Sequence, residues 1–130
     1  MAPLAIRQSR GLALDAHPGV VVSGDPDAIA HALRNLIENA LRFSPEKEEV
    51  LVRISAPARL EVLDRGPGIP DALKSLVIKR FWRASPSDLG GTGLGLAIVQ
   101  RIAEANRTAL LIQDREGGGT SFSINFHSCL

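Results

Sequence analysis

The chain has 130 residues, 45% of them hydrophobic and 22% charged, which is the balance of one soluble globular domain with a single core. Its 15 Lys and Arg against 14 Asp and Glu leave a net charge of +1, so charge gives no reason to expect nucleic acid or an anionic membrane as a partner. The lone cysteine, Cys129, excludes an internal disulfide and a cysteine-rich metal site, and no apolar run is long enough to cross a bilayer. The first residues, broken by Pro3, Arg7 and Arg10, lack the apolar core of a secretory signal.

In chain order, residues 11–16 alternate Leu12 and Leu14 with small or polar residues, and Val20 to Val22 follow the His17-Pro18-Gly19 turn; both read as short strands. Asp25-Pro26-Asp27 opens the first long helix, with Asp25 as N-cap and Pro26 at the first helical position. Ile29, Leu33, Leu36, Ile37, Ala40 and Leu41 recur at helical spacing until Pro45 ends the run. On the opposite stripe lie His31, Asn35, Glu38, Asn39 and Arg42, pointing away from that apolar face. Two mid-helix asparagines sacrifice a few tenths of a kcal/mol each, which invites a chemical role beyond that of a solvated surface.

Residues 50–56 and 59–64 form a hairpin that runs into Asp64-Arg65-Gly66-Pro67-Gly68-Ile69-Pro70, a tight loop headed by a carboxylate. Asp71 is placed to cap a short helix reaching about Val77, and a basic and aromatic cluster, Lys79 to Arg83, follows. Residues 84–91 lack periodicity and read as a mobile loop. The stretch Gly90-Gly91-Thr92-Gly93-Leu94-Gly95-Leu96 then enters a second helix, about 94–106, with Leu94, Ile98 and Ile102 stacked and Gln100, Arg101 and Glu104 outside. A glycine-dense helix entry brings bare N–H groups and the positive dipole end to an anion, or serves as a hinge. Residues 108–112 and 120–126 are strands joined through Gly117-Gly118-Gly119. The order β, β, α, β, β, short α, loop, α, β, β specifies an α/β (α+β) two-layer sandwich on a mainly antiparallel sheet.

The familiar nucleotide motifs fail. There is no G-x-x-x-x-G-K-[ST], and a dinucleotide fingerprint starting at Gly91 or Gly66 would need glycine where Leu96 and Asp71 stand. What fits is an ordered set: Asn35-Leu36-Ile37-Glu38-Asn39-Ala40, then Asp64-Arg65-Gly66-Pro67-Gly68-Ile69, then Phe81, then Gly91-Thr92-Gly93-Leu94-Gly95-Leu96. This set closely resembles the N, G1, F and G2 boxes of the catalytic ATP-binding domain of bacterial sensor histidine kinases, and spans nearly the whole chain.

The resemblance implies a Bergerat fold, with about five strands and helices on one face. It implies one catalytic ATP-binding domain over 1–130 with an ATP lid at about 81–95, and ATP and Mg²⁺ as cofactors. Asn39 would give its side-chain oxygen to the metal, as hard-oxygen chemistry permits. Asn35 would orient phosphate or metal-bound water, Glu38 would stand as general base or as a surface glutamate, and Arg42 would neutralise phosphate charge. Phe43, where relatives often carry tyrosine, would pack on adenine. Asp64 would accept from the adenine amino group, where guanine presents an acceptor of its own, or else stabilise its turn. Gly66, Gly68 and Ile69 would pass beneath the base. Phe81 would anchor the lid and Arg83 reach the γ-phosphate, and Gly91, Thr92, Gly93, Leu94, Gly95 and Leu96 would cradle the triphosphate.

No histidine has the setting of a phosphoacceptor: His17 precedes Pro18-Gly19, His31 lies within the first helix and His127 is near the end. The resemblance therefore implies γ-phosphoryl transfer to a histidine on a separate dimerisation domain, with a response regulator downstream; the alternative is a non-catalytic ATP-sensing module. The piece is expected to be a monomeric cytoplasmic domain of a protein anchored in the inner membrane.

Overall fold

A computed structural model describes residues 11–45, 48–78 and 95–128. Five strands form one mixed sheet: β1 (Gly11–Ala16), β3 (Glu49–Ser55), β4 (Arg59–Leu63), β5 (Leu110–Asp114) and β6 (Thr120–Asn125), in the order β1-β3-β4-β6-β5. Only the β1–β3 pair is parallel; β3–β4, β4–β6 and β5–β6 are antiparallel. Strand alternation sends Val50, Val52, Leu60, Val62, Leu110, Phe122 and Ile124 to one face, where they meet Ala32, Leu36, Ala40, Val99 and Ala103 from the two long helices. The helices, α1 (Pro26–Phe43) and α3 (Gly95–Ala105), pack on each other over this face. On the other face Glu61 is nearly enclosed, accepting from Ser121 Oγ at 2.7 Å and paired with Arg59 at 3.4 Å and Arg53 at 3.8 Å. The expected two-layer sandwich is therefore the observed one.

α1 begins as its sequence dictates. Asp25 caps it, its Oδ1 accepting from the Asp27 N–H at 3.1 Å, and Pro26 takes the first helical position. It ends at Ser44, whose N–H donates to the Ala40 carbonyl before Pro45. Four expectations need correction. The strand expected at 20–22 is β2 (Val22–Ser23), which pairs antiparallel with β7 (His127–Ser128) in a separate ribbon and not with β1. Asp71 is the first residue of α2 (Asp71–Lys74) and not its cap; the cap is Pro70, and the carboxylate of Asp71 turns instead to Lys74. In α3 the buried stripe is Ala97, Val99 and Ala103 with Leu96 and Ile102 beside it. Small residues on that stripe let α1 approach, a choice that the periodicity of an almost wholly apolar helix leaves open. Gln100 does not face outward alone: its Oε1 accepts from the Leu110 N–H at 3.0 Å, tying α3 to β5.

The left-handed residue after α3 is Arg107, with φ +60°. Arg107 N–H donates to the Glu104 carbonyl and Thr108 N–H to the Ala103 carbonyl, both at 3.0 Å, the paired bonds of a Schellman turn. A non-glycine residue there costs about 1 kcal/mol. Arg107→Gly is therefore expected to raise the urea midpoint at unchanged m-value, by up to about 1 kcal/mol of stability; a lower midpoint would contradict this reading of the turn.

Candidate functional site

The last turns of α1 carry Asn35, Glu38, Asn39, Arg42 and Phe43. Asn39 was expected on a stripe facing away from the core, yet it is only 8% exposed, because α1 is covered on more than its apolar side. Arg42 Nη2 donates to Asn39 Oδ1 at 3.3 Å, and the guanidinium lies 5.0 Å from the centroid of the Phe43 ring, within cation–π range. Arg42 also sits in the last helical turn, where the dipole favours a cation. Asn35 Nδ2 donates to the His31 carbonyl at 3.1 Å, and its Oδ1 faces Gly95, 3.5 Å from where a side chain there would begin. The first residue of α3 thus meets the asparagine face of α1. Glu38 is exposed and borders an apolar hollow of about 400 Å³ with Leu12, Leu33, Arg34, Ile37 and Leu41.

Asp64 follows directly on β4 and is 3% exposed. Its Oδ1 accepts from the Gly66 N–H at 2.9 Å and the Thr120 N–H at 3.1 Å, while its own N–H donates to the Thr120 carbonyl at 2.9 Å. Oδ2 accepts no hydrogen bond from any described residue. Burial pushes the Asp64 carboxyl above its ordinary 3.8, against the opposing pull of the two backbone N–H groups and of Arg115. A carboxylate held by one oxygen, with the other available, is an acceptor aimed by the backbone.

Two close approaches bind this carboxylate to the end of α1 and to the β5–β6 turn. A side chain on Gly66 would begin 2.9 Å from the Phe43 carbonyl, so only glycine lets the loop lie against the helix end. A side chain on Gly119, whose φ is +107°, would begin 2.0 Å from the Asp64 carbonyl oxygen, which no relaxation of a side chain could accommodate. Polar ties accompany both contacts. Arg65 N–H donates to Ser44 Oγ at 3.4 Å, Arg65 Nη1 donates to the carbonyls of Glu116 and Gly118 at 3.0 Å each, and Arg115 Nη1 donates to the Asp64 carbonyl at 3.2 Å.

Sequence reasoning thus named Asn39, Arg42, Phe43, Asp64 and Gly66, and the fold brings the end of α1 and the 64–66 loop into contact. Gly68 has φ +81° and continues that loop, and Ile69 is half-buried against the core. Gly95 and Leu96 open α3. Phe81, Arg83, Gly91, Thr92, Gly93 and Leu94, with most of the expected lid, lie outside the described residues. Sequence reasoning missed Ser44, Arg65, Arg115, Gly119 and Thr120. The three glycines at 117–119 signalled a turn, and only the register pairing Leu63 with Ser121 sets that turn against Asp64.

A pH test follows from the direction of the Asp64 shift. Its raised value means that the folded state binds this proton more tightly than the unfolded chain. The group's contribution to stability is therefore complete below 3.8 and is lost as pH rises through the raised value. Asp64→Asn, which keeps an acceptor for both N–H groups without the charge, is expected to match the wild type at neutral pH within about 1 kcal/mol. As pH falls toward 3.8 the difference should move in favour of the wild type. Movement toward the variant in denaturation series would show that burial does not dominate this site.

Among the described residues no helix is long and apolar enough to cross a membrane, and no cluster of three or more His, Cys, Asp or Glu side chains occurs. A sequence profile of the family described as "Histidine kinase-, DNA gyrase B-, and HSP90-like ATPase" matches residues 24–128. The signal transduction histidine-protein kinase/phosphatase MprB of Mycobacterium sp. (strain KMS) is 38% identical over 117 residues, covering 86% of this chain and 23% of that protein. The phosphate regulon sensor protein PhoR of Pseudomonas aeruginosa is 33% identical over 129 residues, covering 95% of this chain and 29% of that protein. The chain thus spans less than a third of the length of these relatives. In three dimensions it superposes on a mycobacterial sensor histidine kinase MprB structure with a TM-score of 0.78 and 32% identity, covering 92% of this chain and 83% of the other. With matching motifs, fold and sequence, the chain belongs to the histidine kinase-, DNA gyrase B- and HSP90-like ATPase family, on its sensor histidine kinase branch.

Proposed function

We propose that this chain binds ATP with Mg²⁺ and presents the γ-phosphoryl group to a histidine on a separate dimerisation domain of the same kinase, which then passes it to a response regulator. The observation that carries the reading is Asp64: Oδ1 is fixed by two backbone N–H groups, leaving Oδ2 to accept from an adenine amino group. Guanine would set its carbonyl oxygen against that acceptor, so the same geometry selects against GTP. Phe43 adds an apolar face for the base, and Gly66, Gly68 and Ile69 the floor beneath it.

At the other end, Asn39 fits a magnesium site by the chemistry of its donor. It is a buried, neutral, hard oxygen, and Mg²⁺ takes one or two protein ligands and the rest from phosphates and water. The ion would neutralise charge on the phosphates when bound. Arg42 supplies a second positive charge, with Asn35 orienting the phosphate chain along the start of α3. Glu38 is the candidate to take the proton of the attacking imidazole, and Arg83 to steady the γ-phosphate from a lid spanning about 81–95. We infer one catalytic domain over 1–130, monomeric alone and cytoplasmic, in a longer protein anchored in the inner membrane. The small share of each relative that it spans supports the longer protein.

Titration calorimetry with Mg·ATP is expected to show binding that Asp64→Asn weakens at least tenfold while the variant stays folded, with GTP bound worse than ATP by a similar margin. Mixed with a matched histidine-bearing hairpin domain, the chain should produce acid-labile phosphohistidine from ATP. Good ATP binding without that product would overturn the transfer reading in favour of a nucleotide-sensing module, and unchanged affinity in Asp64→Asn would remove Asp64 from the adenine site.

A further inference from the structure

The loop that starts at Asp64 is held at its far end by a residue that no nucleotide motif includes. Lys74 is the last residue of the four-residue helix α2, and its side chain is only 16% exposed, unusually enclosed for lysine. Nζ donates to the Ile69 carbonyl at 3.0 Å, to Asp114 Oδ1 at 3.0 Å and to Asp71 Oδ1. Three acceptors match the three hydrogens of an ammonium. They come from three segments: the loop, the start of α2 and the last residue of β5.

A surface pair of lysine with an exposed aspartate one turn away stabilises little. The bond to Ile69 is different, because a backbone carbonyl at a loop end is a positional anchor. The start of α2 has no side-chain cap hydrogen bond of its own, its cap being Pro70. Asp114 also adjoins the turn that grips the loop at its head, where Arg115 reaches the Asp64 carbonyl and Thr120 N–H the Asp64 carboxylate. One structural unit, residues 114–120, thus holds both ends of the 64–69 loop: directly at Asp64, and through Lys74 at Ile69.

We infer that Lys74 is a positioning residue for adenine recognition, fixing the Ile69 carbonyl against β5 so that the 66–69 segment keeps its path beneath the base. The inference rests on the ATP-binding reading above. Lys74 touches no nucleotide in this scheme and acts through the loop alone. Its loss should therefore be felt at the base, which ATP and ADP share, and not at the γ-phosphate, which they do not.

The test is calorimetric titration of the whole chain with Mg·ATP and with Mg·ADP, for the wild type, Lys74→Met, Asp114→Asn and the double variant, well below their melting temperatures. Lys74→Met is expected to weaken both nucleotides by the same factor, roughly fivefold or more. Asp114→Asn should weaken them less, and should add nothing in the Lys74→Met background. A purely structural lysine would lower the melting temperature without moving either affinity. Lys74→Met within twofold of the wild type for both nucleotides overturns the proposal, as does a loss confined to ATP. Should Lys74→Met fail to fold, Asp114→Asn carries the test, its side chain being 74% exposed and its unchanged affinity contradicting the tie. A wild-type chain that binds neither nucleotide contradicts the ATP reading itself, an outcome separate from the failure of Lys74.

Discussion

One carboxylate oxygen organises the end of the sheet. Asp64 Oδ1 stands where β4 stops, and it holds the N–H of its own loop, from Gly66, together with the N–H of the neighbouring strand, from Thr120. Burial works against the charge, and the two N–H groups recover only part of that cost. Glycines let the backbone close around the carboxylate: Gly66 lies against the Phe43 carbonyl and Gly119 against the Asp64 carbonyl. The carboxylate is thus held through one oxygen, while the other accepts from none of the described residues, and the proposed adenine contact rests on that second oxygen.

The rest of the architecture delivers elements to that point. The apolar strand faces seat α1 and α3, and α1 ends where Phe43 and Ser44 meet the 65–66 backbone. Asn39 and Arg42, one turn back, therefore stand in fixed relation to the loop that starts at Asp64. In the proposed function, metal binding and base recognition fall to residues 25 positions apart in sequence that share this piece of backbone. That arrangement suits phosphoryl transfer, in which alignment and charge neutralisation do most of the chemistry.

Much of this was legible from the chain. Asp25 and Pro26 announce the start of α1 by capping chemistry, strand alternation marks the core of the central hairpin, and the asparagines declare themselves by being poor helix formers in the middle of a helix. What was hidden depends on pairings between distant segments. Ser44, Gly119 and Thr120 carry ordinary local signals, a helix end, a turn and a strand start, and acquire their roles only through the β4–β6 register and the fit of the loop on α1. That Asn39 is only 8% exposed is likewise beyond helical periodicity, which sets it opposite the apolar face without saying what covers that side. Arg107 in the left-handed position and Asp71 in the service of Lys74 are likewise settled by neighbours.

In the proposed function Asp64 reads the adenine base while Asn39 and Arg42 serve the phosphates. A crystal structure of the chain with Mg²⁺ and a non-hydrolysable ATP analogue tests it most directly. The adenine amino nitrogen should lie within about 3.2 Å of Asp64 Oδ2, with Oδ1 still holding Gly66 and Thr120 and the phosphates beside Asn39. An adenine bound with its amino group away from Asp64, or phosphates remote from Asn39, would contradict it.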